Sequence, residues 1–263
     1  MFDTTPKELS DLYTLLEIKK QKLDFFRPLS SEQSKNLQKV YDVDMTYHSN
    51  ALEGNTLSYS ETKLILEEGI TINGKSMNEH LEVINHKEAL DFIEELVTIP
   101  TQNLRESDIL NIHRLILKSI NSKEAGRYRT QAVGVRKSDG DIYHFTDPIF
   151  VKEKMEEFVI WLQNSNDLNS IQRASQAHFR FVSIHPFIDG NGRTARLIMN
   201  LILMQNGYVP SIIRVQDRSE YIQSIEKAQN NEPLDTFHKF IADSVEKNLD
   251  FYLETLETNI KFI

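Results

Sequence analysis

Twelve consecutive residues, His185-Pro-Phe-Ile-Asp-Gly-Asn-Gly-Arg-Thr-Ala-Arg196, hold a base, a carboxylate, a glycine-framed turn and two guanidinium groups. Pro186 disfavours helix at His185, so a helix over 174–184 should end there and a loop follow. The turn Gly190-Asn191-Gly192 permits positive φ and close backbone approach, and a second helix over 193–205 is expected just beyond it. A loop of this kind aims free N–H groups and a helix dipole at one point, which is how backbones hold phosphates. Around that point Asp189 suits a hard cation such as Mg2+ (or Mn2+), and Arg193 and Arg196 can reach phosphate oxygens. His185, with an unperturbed pKa of about 6.5, can be neutral and take a proton from an attacking hydroxyl. Each feature alone has a plain structural meaning as a turn, a helix cap or a solvated face. Their coincidence points to phosphoryl-type transfer, which depends on positioning and charge stabilisation. A Walker P-loop is excluded, since it needs Gly where Phe187 stands and Lys where Arg193 stands.

The elements that must position these groups are mostly helices. Apolar residues recur at helical spacing over 9–26, 81–96, 109–120 and 155–162, and serines at 30, 31 and 58 mark helix starts. Two β-prone runs, 130–135 and 141–145, flank Ser138-Asp-Gly140 and predict one hairpin. No repeat or flexible linker divides the chain. The expected architecture is mainly α, with residues 1–40 as an N-terminal helical extension and 41–263 as one domain carrying the hairpin.

Composition narrows the classes further. With 263 residues, 40% of them hydrophobic, the chain can bury a proper core. It has no cysteine, which excludes disulfides, thiolate-bound zinc and a cysteine nucleophile. A net charge of -9 disfavours general binding to nucleic acid. The first residues lack a signal-peptide pattern, and the apolar run 197–204 is too short to span a bilayer, so a cytoplasmic protein without membrane attachment is expected. His48, His80, His86, His113, His144, His178 and His238 show no metal-ligand spacing and read as structural or surface residues.

The stretch from His185 to Arg196 resembles the signature of the Fic family, His-x-Phe-x-Asp/Glu-Gly-Asn-Gly-Arg-x-x-Arg, at every defining position. The resemblance extends from about residue 46 to 242 and implies a Fic-like helical core with a β-hairpin flap over 134–145. It further implies transfer of AMP from ATP to a Ser, Thr or Tyr hydroxyl of a target protein or of the enzyme itself, with release of pyrophosphate. In that reading His185 is the general base, Asp189 the Mg2+ ligand and Phe187 a core anchor. Gly190, Asn191 and Gly192 form the anion hole, and Arg193 and Arg196 hold the distal phosphates. Tyr221 and Gln229 resemble positions on the adenine side, with Gln229 standing where many relatives carry Asn. Ser49-Asn-Ala-Leu-Glu53-Gly54 resembles the family's inhibitory motif, so Glu53, with Ser49, would engage Arg196 and keep resting activity low. Two other functions share these residues: a hydrolase that removes AMP from its target, and a non-catalytic nucleotide-binding regulator. The amphipathic helices also offer faces for a homodimer.

Overall fold

Three helices begin where a serine and a residue three positions later cap each other. Ser30 and Gln33 open one helix, Ser58 and Glu61 another, Ser76 and Glu79 a third, each side chain taking the other residue's backbone N–H. The computed structural model describes residues 6–138 and 140–258; Asp139 of the expected Ser138-Asp-Gly140 turn and the ends of the expected 1–40 and 41–263 units lie outside them. Among the described residues there are ten α-helices: α1 (Lys7–Phe25), α2 (Ser31–Leu52), α3 (Tyr59–Glu68), α4 (Met77–Leu96), α5 (Glu106–Ile116), α6 (Val151–Asn164), α7 (Ser170–Ile184), α8 (Asn191–Gln205), α9 (Arg218–Gln229) and α10 (Asp235–Thr258).

Helix α8 is the axis of the core. Leu197, Ile198, Met199, Leu201, Ile202 and Leu203 are all buried, and so are Arg193, Arg196 and Asn200 on the remaining polar face, so the helix is surrounded by other elements. It packs on α7, α4, α5 and α2. Helix α1 packs along α10 and contributes Leu9, Leu16 and Leu23 to the same core, while α2 crosses residue 40 without a break. No helix among the described residues is long and apolar enough to cross a membrane.

Two local differences from the sequence reading have identifiable causes. Helix α5 stops at Ile116, not near residue 120, because Asn85 Nδ2 donates to the Ile116 and Lys118 carbonyls at 3.2 and 2.6 Å and satisfies the ending. The hairpin strands are three residues each, β1 (Gly134–Arg136) and β2 (Ile142–His144), paired antiparallel with Val135 opposite Tyr143. Residues 130–133 stay outside the strands; the Gln131 carbonyl is taken by Arg129 Nη1 at 2.7 Å.

Candidate active site

Helix α7 ends at His185 in the left-handed conformation, φ 51° and ψ 60°, an uncommon geometry for a non-glycine residue that here turns the chain sharply into Pro186. Arg129 holds this turn. Its guanidinium is buried; Nε donates to the His185 carbonyl at 2.7 Å, and Nη2 donates to the Thr146 carbonyl. With the Gln131 bond, one side chain therefore ties the turn to both roots of the hairpin. The Phe145 ring, just past β2, stacks on the His185 imidazole with centroids 3.9 Å apart. Burial pushes the His185 pKa down to about 4, so the ring is neutral near pH 7.

The loop after His185 is built around two buried side chains. Phe187 is fully buried and stacks flat on His113, centroids 3.5 Å apart. Asn191 accepts from Phe187 N at 2.9 Å and donates to Phe187 O at 2.8 Å, closing 187–191 into a ring. Its amide is thus committed to the loop, and only its backbone can face a ligand. His113 Nδ1 accepts from Gly126 N at 2.9 Å, so Nε2 carries the proton and donates to the Asp189 carbonyl at 2.9 Å. Gly190, at φ 76°, precedes the first helical residue, Asn191, and the opening N–H groups of α8 have no partner within the helix.

Arg196 is buried, and its Nε and Nη2 are both hydrogen-bonded. Its Nε donates to Ser49 Oγ at 3.0 Å, and Nη2 donates to Ser49 O at 2.9 Å and to Glu53 Oε1 at 2.8 Å. Burial raises the Glu53 carboxyl pKa, but Arg196, helped by Arg193 and Arg218, outweighs it and holds the group below its usual value. The same Glu53 oxygen lies so near Gly192 that a Cβ there would meet it at 2.2 Å. Glu53 therefore rests on the first turn of α8, over the N–H groups that could take an anion. Arg193 points elsewhere, toward Glu82 Oε1 at 3.2 Å and Asp189 Oδ1 at 3.4 Å.

A cavity of about 450 Å³ opens beside this ion pair, lined by Glu53, His185, Gly192, Arg196, Tyr221 and Gln229 among others. The hairpin covers it, since Ser138 N donates to Glu226 Oε1 of α9 at 3.0 Å and Lys137 Nζ donates to Asn230 Oδ1 at 3.2 Å. Tyr221 Oη lies 2.8 Å from His178 Nε2. Ser49, Asp189, Gly190, Asn191 and Arg193 lie outside the lining, Asp189 and Gly190 in the loop before α8 and Asn191 and Arg193 in its first turn. The Asp189 side chain is 62% exposed, and Gly190 N donates to its Oδ1 at 2.6 Å. No cluster of three or more ligating side chains occurs among the described residues. A single open carboxylate is still a fit for Mg2+, which commonly takes one protein carboxylate and completes its shell with substrate phosphates and water.

Sequence reading missed Arg129, His113 and Glu82 as parts of this site. For His113 a signal existed: it shares the apolar face of Ile109, Ile112 and Ile116, which marks it as buried. Arg129 and Glu82 carry no local pattern that announces their partners.

The Fic/DOC family model matches residues 103–203. Protein adenylyltransferase fic-1 of Caenorhabditis elegans is 40% identical over 216 residues, 81% of this chain and 41% of that protein. Protein adenylyltransferase Fic of Nematostella vectensis is 39% identical over 241 residues, 90% of this chain and 55% of that protein, so the chain spans about half the length of these relatives. A solved fragment of Fic-1 from C. elegans superposes with a TM-score of 0.84 at 34% identity, covering 96% of this chain and 74% of that one. Agreement in sequence and in fold along nearly the whole chain, centred on the loop before α8, means that it belongs to the Fic/DOC family.

Proposed function

We propose that the protein is an adenylyltransferase whose ATP site is closed at rest by its own Glu53. The observation that carries this is the carboxylate of Glu53 on Arg196 and against Gly192, where a nucleotide's terminal phosphate would otherwise bind. The names of the curated relatives support the reaction. In this reading residues 41–263 are the catalytic unit and 1–40 its helical extension.

ATP enters the cavity with its base toward Tyr221 and Gln229 and its phosphates over the opening turn of α8. Asn191 and Gly192 contribute backbone N–H groups, Gly190, whose own N–H is held by Asp189, sets the turn that aims them, and Arg196 binds the terminal phosphate once Glu53 has left. Arg193 keeps Asp189 in place and adds positive charge to the loop. A divalent ion such as Mg2+, held by Asp189 and the phosphates, would neutralise their charge. A protein segment lies along the hairpin by strand addition and presents a Ser, Thr or Tyr hydroxyl. The hydroxyl oxygen bonds to the α-phosphorus, the bond to the β-bridging oxygen breaks, and pyrophosphate leaves. Neutral His185 takes the hydroxyl proton. The reverse outcome, removal of AMP from a modified protein, draws support from Glu53 facing the same cavity as His185, where the carboxylate could hold a water.

ATP labelled at the α- or γ-phosphate, incubated with Glu53→Gly and with Glu53→Gly/His185→Ala, tests the proposal. Protein-bound label is expected from the α position only, and only when His185 is present. Label retained from the γ position, or label independent of His185, would refute it.

A further inference from the structure

Beside residues 36–44 of α2, N-terminal to Ser49 and Glu53, lies a second cavity of about 530 Å³, slightly larger than the first. Its size is that of a small-molecule site. Val40, Val43 and Ile212 supply apolar surface, and Tyr41, Tyr59 and Phe251 supply rings. Three cations, Lys39, Lys63 and Arg214, two acids, Asp44 and Glu67, and the amides of Asn36 and Asn248 complete the polar lining.

The charges are not balanced within the cavity. Lys63 lies 3.9 Å from Glu67, and the Asp44 carboxylate accepts from the Tyr59 hydroxyl. Among the described residues Lys39 and Arg214 have neither a hydrogen-bond acceptor nor a carboxylate at ion-pair distance. Arg214 is half-buried, its nitrogens still reach solvent at the cavity, and its charge acts on the Asp44 carboxylate, so an entering anion would meet a guanidinium that no hydrogen bond holds. Its backbone is fixed: it caps a short 3-10 turn at Val215–Asp217, and Val215 N donates to His48 Nδ1 of α2 at 3.2 Å. The guanidinium is therefore presented on a rigid base beside aromatic walls.

We propose that this cavity is a binding site for a small aromatic anion, its acidic group on Arg214 and Lys39 and its ring among Tyr41, Tyr59 and Phe251. The site is separate from the ATP cavity and stands whether or not the transferase reading does.

Calorimetric titration with 2-naphthyl phosphate, inorganic phosphate and 2-naphthol tests it. The aryl phosphate is expected to bind saturably and each half-ligand much more weakly. Arg214→Met should weaken binding about tenfold, the loss of a charge-assisted contact. Lys39→Met, an exposed change that spares folding, should weaken it about threefold. Arg218→Met, which alters the ATP cavity, should leave it within about twofold. The site would be refuted by absence of binding, by inorganic phosphate binding as tightly as the aryl phosphate, or by a loss in Arg218→Met equal to that in Arg214→Met. If Arg214→Met lowers the thermal midpoint enough to blur its titration, undiminished binding by Lys39→Met refutes the site.

Discussion

Replacing Glu53 by glycine should make the protein less stable and more active at once. The lost contact is a 2.8 Å ion pair in which Arg196 is 6% and Glu53 36% exposed. Exposed pairs contribute about 0–1 kcal/mol, and breaking a fully buried one costs about 3–5 kcal/mol. Solvent screening of Glu53 and the two surviving Ser49 bonds put this case near the lower bound, about 1–2 kcal/mol. Activity moves the other way. A closed state favoured by that same contact, about 1–2 kcal/mol, leaves about one molecule in six to one in thirty competent, so release should raise labelling about 5- to 30-fold. Glu53→Gln, which keeps an acceptor but no charge, should fall between. Urea denaturation and initial rates of α-phosphate incorporation read the two effects. Labelling by Glu53→Gly within twofold of wild type, or activation together with a gain in stability, would refute the latch.

Acid should unfold the protein early. Burial pushes His48, His113 and His238 down to about 4 and His86 and His178 to about 3, so these rings fold neutral, whereas the unfolded chain protonates near 6.5. The stability they contribute is present above pH 6.5 and is lost as pH falls from there toward 3–4, at about 1.4 kcal/mol per pH unit for each extra proton bound on unfolding; a thermal midpoint unchanged between pH 7 and 5 would contradict this. Arg129→Met should cost about 2–4 kcal/mol in urea titration by stranding the His185, Gln131 and Thr146 carbonyls, and should speed tryptic cleavage of the hairpin. A loss under 1 kcal/mol would mean that water replaces the guanidinium without strain. His113→Phe keeps the stack on Phe187 but removes the bonds to Gly126 and Asp189; a cost of about 1–3 kcal/mol and a larger loss of transfer are expected, and unchanged rates would separate His113 from the loop's geometry.

What the sequence made legible was what lies close along the chain. The loop from His185 to Arg196 could be read because its helix stop, turn and next helix start fall within one short run. Helix starts at Ser30 and Ser58 were legible for the same reason, the capping partner being three residues away. Glu82 on Arg193, Asn85 on the end of α5 and Arg129 on the hairpin roots were not, because their partners come from other elements, or are backbone atoms without a residue type. The paired length of the hairpin followed the same limit. Alternation set where strands were allowed, while Arg129 claimed a carbonyl that alternation would have assigned to the strand.

The Ser49 contacts explain why removing Glu53 should open a working site and not a collapsed one. A guanidinium held only by Glu53 would swing or repack once the carboxylate left, and the phosphate would have to order it again. Arg196 is instead fixed by Ser49 Oγ and Ser49 O, both independent of Glu53. In the proposed mechanism the arginine would then keep its position once Glu53 leaves, and the carboxylate and a phosphate would compete for the same preorganised group. Glu53 stands at the C-terminal end of α2, one turn beyond Ser49, so a small outward movement of that last turn can free the anion site while Ser49 still holds the arginine. The energy needed for opening is then that of one partly exposed ion pair, which binding of a triply anionic tail can supply.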